Sequence, residues 1–486
     1  MKKIYYLLFL ILGLTSCIED NGNYEYTTLK EAKISGLNDS YRFVLQQPIV
    51  LKPTVTTDID AANLEYCWRI GNDTLGREKD LSYTFVNTLI SSDPLTFEVI
   101  DKSNKVRYTK RMDATVVSPF QTGWLILGSV ADKPVLAFQS YEEGNTYFSN
   151  VYNAVNKEPL SGTPNCVKQL IYQDGITGGY YSRVTAICNN GKSFYLDGTS
   201  MLRKAYFDDQ YRGEGSFSIA AISSERYSND KALFVINNGK IYEKAADDMG
   251  ATPEDGYFEY PLDGDSKGYK VCNYYAYGWY GDYYVTVDLL NNRYVYFSRS
   301  SLSTKVSSLI VGSTSIKTID PDNLEGEPVW MGVDYKGEIL SVLKTSAGKY
   351  VLHKMAFTTY DGTVTLSGRY EFPDGTINEN SCFAGHRVNP YLMISNGNKL
   401  MALNLEGLDA GASSLNEICT YDGPITAMHY SYDNNRSVNE FGIAIQTNAS
   451  SSSLLIISTS LIDKGAVLKR YDNVAGKVVS IWRKVM

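Results

Sequence analysis

The sequence predicts an all-β protein, an immunoglobulin-like β-sandwich followed by a β-propeller of about seven blades. Three observations carry this. Residues 26–118 read as short alternating strands parted by turn-rich pieces. The remainder repeats a strand–tight turn–strand signal about every fifty residues. No long amphipathic helix interrupts either part, which disfavours a parallel α/β fold.

In the first part the expected strands are 32–34, 42–45, 49–55, 64–70, 81–85, 95–100 and 106–117, with turns such as Gly36-Leu37-Asn38-Asp39 and Gly71-Asn72-Asp73 between them. About seven strands in about ninety residues suit a sandwich. Tyr66 and Trp68 stand two residues apart, on one face of a strand, and a central-strand tryptophan is a usual anchor of such cores.

In the second part Ala186-Ile187-Cys188-Asn189-Asn190-Gly191-Lys192-Ser193-Phe194-Tyr195 and Phe234-Val235-Ile236-Asn237-Asn238-Gly239-Lys240-Ile241-Tyr242 share one pattern. Asn-Gly between apolar alternations marks a hairpin, because a type I′ turn needs positive φ at both central residues. Weaker versions lie at Asn291-Asn292, Lys336-Gly337, Asn396-Gly397-Asn398, Ala131-Asp132 and Asn448-Ala449-Ser450. Seven hairpins predict about seven blades over residues 119–486, with six or eight as alternatives, since a degenerate blade could hide in the longest intervals. The segment Lys477-Val478-Val479-Ser480-Ile481-Trp482 is expected to supply a strand to the first blade and remove an exposed edge.

Ahead of both parts, Lys2 and Lys3 precede an apolar run, Ile4 to Leu14, which is the size of a signal-peptide core and too short to span a bilayer. Leu14-Thr15-Ser16-Cys17 resembles the lipobox of bacterial lipoproteins, in which the cysteine is cleaved free and lipidated. Residues 1–16 are thus expected to be a lipoprotein signal peptide and 17–25 a lipidated tether, with two or three acyl chains on Cys17 holding the protein on the membrane. The acidic pair Glu19-Asp20 resembles the export signal of surface lipoproteins in Bacteroidetes. This implies an outer-membrane lipoprotein facing the cell exterior, with a periplasm-facing anchor as the alternative.

Composition narrows the function. The net charge is −8 and basic residues form no run, which argues against nucleic acid as a partner. Thirty-nine tyrosines against seventeen phenylalanines supply rings with polar tips, suited to half-buried strands and to surfaces that touch sugars or peptides. Apart from Cys17, the cysteines Cys67, Cys166, Cys188, Cys272, Cys382 and Cys419 are scattered without CxxC spacing, and several sit in apolar strands. They are expected to be mostly free and buried.

The lipobox, the Gly22-Asn23-Tyr24-Glu25-Tyr26 lead-in, the Tyr66-Cys67-Trp68 strand and the repeat-rich remainder together look like the PKD-like surface lipoproteins of Bacteroidetes. That resemblance implies a PKD-like sandwich and an accessory role beside a SusC-type TonB-dependent transporter and a SusD-type lipoprotein, which import oligosaccharides or peptides. It brings no catalytic motif.

The residues themselves contain no HExxH, no G-x-S-x-G and no Walker-type loop. The histidines His353, His386 and His429 are too far apart for local metal-ligand spacing, and Asp263-Gly264-Asp265-Ser266-Lys267-Gly268 fails as a calcium loop and reads as a solvated turn. No catalytic residue, metal or cofactor is therefore expected. The densest aromatic patch, Asn273 to Tyr284, yields Tyr277, Trp279 and Tyr280 as candidate contacts to a glycan or peptide ligand. Tyr283 and Tyr284 read instead as the start of a strand. A non-catalytic binding component is the favoured function. The alternative is a propeller glycosidase, lyase or peptidase whose carboxylates are dispersed over blades.

Overall fold

A computed structural model describes residues 30–86, 93–142, 144–173, 180–222, 226–228, 232–245, 256–278, 283–298, 305–358, 362–408, 410–432 and 439–485. The fold is all-β, and the described chain forms two compact units with the main boundary at Val116/Val117. The signal peptide, Cys17 and the tether lie outside the described residues.

The first unit is built on a five-stranded sheet in the order Ser40–Val44, Arg107–Val117, Leu95–Asp101, Leu64–Ile70, Asp73–Gly76, antiparallel except that Ser40–Val44 runs parallel to Arg107–Val117. Two strand pairs accompany it, Ala32–Ser35 with Thr54–Thr57 and Pro48–Leu51 with Leu81–Thr84. The expected strand 49–55 is two strands because Pro53, which lacks a backbone N–H, follows Lys52 between them. Trp68 is fully buried opposite Phe97, their rings 4.5 Å apart, and its indole N–H donates to the Lys79 carbonyl. This satisfies the one polar atom that burying a tryptophan would otherwise strand. Tyr66 stacks on the same Phe97 ring.

The second unit contains seven sheets among its described residues; the body of each is an antiparallel meander, in chain order apart from the first, and sheets II, IV and V each add one strand paired in parallel, Arg226–Ser228, Asp263–Gly264 and Ile310–Val311. Sheet I orders Lys477–Lys484, Gly123–Val130, Lys133–Ser140 and Tyr147–Phe148, and a short helix, Val151–Asn156, follows it. Sheet II begins with Thr163–Gln173 and Tyr180–Asn189, sheet III with Ile219–Ile222 and Ala232–Asn237, and sheet IV with Val271–Gly278 and Tyr283–Asp288. Sheet V begins with Gly326–Val333 and Ile339–Thr345, sheet VI with Phe383–Gly385 and Tyr391–Asn396, and sheet VII with Asn439–Asn448 paired to Ile425–Tyr432.

Their second strands are buried on both faces, so alternation sorts side chains between two neighbours. In Tyr283–Asp288 the side chains of Tyr283, Val285 and Val287 enter the core shared with sheet V, while Tyr284 enters the core shared with sheet III. In the same way Leu392 and Ile394 face sheet V and Met393 faces sheet VII. Each consecutive pair of sheets shares one such apolar cluster, and a further cluster of Trp124, Ile126, Ala444, Leu454 and Ile481 joins sheet VII to sheet I. The order of contacts is therefore cyclic. The C-terminal strand Lys477–Lys484 pairs antiparallel with Gly123–Val130, the strand that opens the unit.

Six of the seven hairpins read in the sequence are the turns between second and third strands; Ala131 and Asp132, and Asn238 and Gly239, all have positive φ, as a type I′ turn requires. The seventh differs. Gly337 lies between the first and second strands of sheet V, whose second-to-third turn carries Gly348 instead.

Close approach at the seam between sheets VII and I depends on Gly442, where a Cβ would stand 2.3 Å from Cη2 of the fully buried Trp124. Gly442→Ala should lower stability by about 1–3 kcal/mol through overpacking. A smaller ring in the double variant with Trp124→Phe should recover part of the loss in chemical denaturation; equal stability of Gly442→Ala and the parent would show that the seam can relax.

Candidate functional site

The first strands of six sheets converge, at or toward their C-terminal ends, on a cavity of ≈ 290 Å³ within the second unit. Lys168 comes from sheet II, Tyr275 and Tyr277 from sheet IV, Trp330 from sheet V, His429 from sheet VII and Trp482 from sheet I, with Arg387 on the segment leaving the first strand of sheet VI.

Local packing holds each ring in place. Tyr275 and Tyr277 alternate with buried Ala276, and both pack on Tyr284 of the adjacent strand, at 5.8 and 5.1 Å between centroids. Trp330 stacks on Phe383, and the missing side chain of Gly332 gives its ring room, since a Cβ there would fall 2.4 Å from Cζ2. A Cβ at Gly385 would fall 1.9 Å from the Val333 carbonyl oxygen, so the first strands of sheets V and VI approach this closely only with glycine. His429 stacks on Trp482, with 4.1 Å between centroids.

The cavity's charge is one-sided. Three cations line it, Lys168, Arg387 and Arg483, and among the described residues no aspartate or glutamate does. Arg483 is already compensated: its Nε donates to Glu440 at 2.5 Å and its Nη1 to the Gly123 carbonyl. The Lys168 ammonium donates to the Ile222 carbonyl at 3.2 Å and lies 5.3 Å from the centre of the Tyr275 ring; among the described residues it forms no ion pair. Asp334 and Glu338, just beyond Val333, are drawn to Lys354, and Asp334 is fully buried.

Of the three predicted contacts, Tyr277 lines this cavity, while Trp279 and Tyr280 lie outside the described residues. Tyr283 and Tyr284 are buried strand residues, in keeping with the strand reading. Sequence reasoning missed Lys168, Trp330, Arg387, His429 and Trp482. Their shared signal is positional: each lies on or just after the first strand of its repeat, and no local motif marks them.

A second cavity of ≈ 740 Å³ is larger but lies toward the other ends of the strands, between sheets III, IV and V, with Lys270, Tyr274 and Glu327 in its wall. It gathers residues at strand ends and turns of three sheets, whereas the smaller cavity gathers residues from six sheets and aromatic rings from five of them.

Two histidines have structural duties. His353 is buried between the Tyr294 hydroxyl, 3.1 Å from Nδ1, and Glu325, 2.7 Å from Nε2; Arg369, then His353, hold the Glu325 carboxyl down to about 2. His386 donates from Nε2 to the Thr459 carbonyl and accepts the Asn389 N–H at Nδ1, and burial keeps its pKa below the usual value. Only His429 reaches the cavity. Among the described residues no group of three His, Cys, Asp or Glu side chains could hold a metal ion, and the six described cysteines are free.

The turn at Asp263–Gly268 is not simply solvated. Asp265 accepts two hydrogen bonds from the buried Arg293 guanidinium, at 2.6 and 3.0 Å, which with other contacts lower its pKa to about 2. Arg293 also donates from Nε to Asp288, which has no exposed surface. Burial pushes the Asp288 carboxyl up, but hydrogen bonds from Asn291, the Lys270 N–H, Arg293 and the Leu290 N–H outweigh it, and the net shift is downward. Arg293→Met leaves that charge buried and should cost about 3–5 kcal/mol at neutral pH. Because the folded carboxyls titrate below their unfolded value of 3.8, their stabilisation is complete above about pH 4 and lost as pH falls toward 2. Chemical denaturation of parent and variant should therefore differ strongly at pH 7 and less at pH 3; an equal gap at both would refute the linkage.

No curated protein matches the chain. Among solved structures, similarity extends to a quinonprotein alcohol dehydrogenase-like protein from Bacteroides thetaiotaomicron, at 13% identity and a TM-score of 0.49, covering 92% of this chain and 97% of that one. The β-propeller domain of Cps50 (Swd1) from Myceliophteria thermophila aligns at 11% identity and TM-score 0.40, over 66% of this chain and 90% of that one. A structural genomics protein of unknown function from Bacteroides thetaiotaomicron aligns at 9% identity and TM-score 0.31, over 94% and 100%. At the level of sequence, residues 17–164 match the PKD-like family.

Proposed function

We propose that the chain is a lipid-anchored surface component of an outer-membrane nutrient uptake system, in which a PKD-like sandwich carries a seven-bladed propeller that binds ligand without transforming it. The reading of the second unit as a propeller is supported by its cyclic order of shared cores and by the pairing of its last strand with its first. Reading the first unit as a sandwich is supported by the PKD-like match and by the buried Trp68. The anchor reading draws on the apolar leader and the lipobox around Cys17, and the SusC/SusD-type partnership on the resemblance those residues carry.

One observation carries the binding function. Ring faces from Tyr275, Tyr277, Trp330, His429 and Trp482 meet in one cavity, which no described carboxylate lines. Ring faces stack on sugar rings and pack against peptide side chains. Hydrolysis of a glycosidic bond would ask for two carboxylates flanking the substrate, and the nearby pair Asp334 and Glu338 is drawn to Lys354.

Cys17→Ala should abolish incorporation of labelled palmitate and release the chain from the outer-membrane fraction; retained label would refute the anchor. Affinity capture of tagged protein from native outer membrane should recover a TonB-dependent transporter and its SusD-type partner, and clean recovery of the chain alone would count against that partnership. Trp330→Ala and Tyr277→Ala should each weaken binding of the cargo of that transporter by about threefold to tenfold in calorimetry; both rings also pack against neighbouring cores, so each melt should shift down, and calorimetry is run well below it. Unchanged affinity in both variants would move the ligand out of this cavity.

A further inference from the structure

The charge of the central cavity narrows its ligand. The cavity wall carries three cations, Lys168, Arg387 and Arg483, and no described acidic side chain is among its lining residues; of the three, Arg483 is compensated by Glu440. Lys168 is half-buried and held by two neutral groups, the Ile222 carbonyl and the Tyr275 ring face. Three donors on an ammonium leave it able to take a further acceptor, and charge-assisted hydrogen bonds strengthen as water is excluded. Arg387 adds a second positive group, on a segment fixed by the hydrogen bonds of His386 to Thr459, Val388 and Asn389. The overall charge of −8 makes this local reversal of sign a feature of the site rather than of the surface.

We propose that the cavity takes an acidic sugar, a hexuronate unit of an oligosaccharide, whose carboxylate meets Lys168 while its ring lies against the aromatic wall. The wall suits that class. Trp330, Tyr277 and the stacked pair of His429 and Trp482 offer broad flat faces, which complement the C–H face of a pyranose. At ≈ 290 Å³ the cavity has the size of a single sugar residue rather than of an extended chain, so the remaining units of the oligosaccharide would lie outside it. This assignment rests on the ligand-binding reading above and specifies the ligand's charge and class.

The full chain would be tested on an array of hexuronate-containing oligosaccharides, neutral oligosaccharides of equal length and acidic peptides, followed by calorimetry on the best binder. Binding is expected to the hexuronates, at least tenfold tighter than to the neutral counterparts, and weaker as ionic strength rises. Lys168→Met should reduce hexuronate affinity about tenfold to a hundredfold and leave neutral-sugar binding unchanged. Lys168→Arg, which keeps the charge, should restore most of it. A thermal melt of each variant separates loss of the site from loss of the fold.

Equal affinity for acidic and neutral sugars would overturn the charge assignment and leave the binding reading standing. Preference for acidic peptides would overturn the sugar class. Absence of binding to every probe would overturn this proposal and, with it, the reading of the cavity as a ligand site.

Discussion

The second unit depends on one long-range pairing, that of Lys477–Lys484 with Gly123–Val130. It brings Arg483 onto the Gly123 carbonyl across 360 positions of chain. Closing so long a flexible loop costs on the order of 5 kcal/mol beyond a constant, because closure entropy grows only with the logarithm of length. Trp124, Leu125, Ile126 and Leu127 are all fully buried there, and each apolar side chain contributes roughly 1.5–3 kcal/mol. Hydrophobic burial at the seam therefore exceeds the closure term, and the strand covers the edge that Gly123–Val130 would otherwise expose.

That seam also concentrates the unit's most demanding polar chemistry. Lys484 is almost wholly buried and donates to the Gln121 carbonyl, and burial lowers its pKa to about 7. Arg483 answers its own burial with Glu440. The two cations are handled differently because one has a carboxylate at hydrogen-bond distance and the other is held by a backbone carbonyl. A chain end fixed in this way also positions Trp482, which becomes part of the cavity wall. Closure and site formation are consequences of the same strand.

Packing between sheets and the content of the cavity are linked in a second way. Each second strand divides its side chains between two cores, which leaves the first strands to face inward at the common centre. Small residues decide how near those strands can come. Gly332 and Gly385 permit the approach around Trp330 and Phe383 that shapes one wall. Among the described residues the charged groups lining the centre are the three cations Lys168, Arg387 and Arg483, each placed by a different strand or turn.

Much of the fold could be read locally. Asn238-Gly239 announced its turn because positive φ at both residues is a property of the dipeptide, Asn190 and Gly397 each supply one positive φ to theirs, and Trp68 announced a core because a large ring in an alternating strand must be buried. Gly337 misled only in its position within the sheet, since a glycine turn has the same local chemistry between first and second strands as between second and third. Asp265 was taken for a solvated turn residue because its partner Arg293 stands 28 positions away.

The site divides along the same line. Tyr277 was legible through the aromatic density of its own segment, whereas Lys168, Trp330, Arg387, His429 and Trp482 are single residues on five separate strands or turns. By itself the sequence determined the all-β character and the hairpin spacing, which follow from period-two burial and turn geometry. Only the tertiary structure decided which residues meet. Their proximity arises from the cyclic packing of seven sheets, and no short-range rule relates positions that are up to three hundred residues apart.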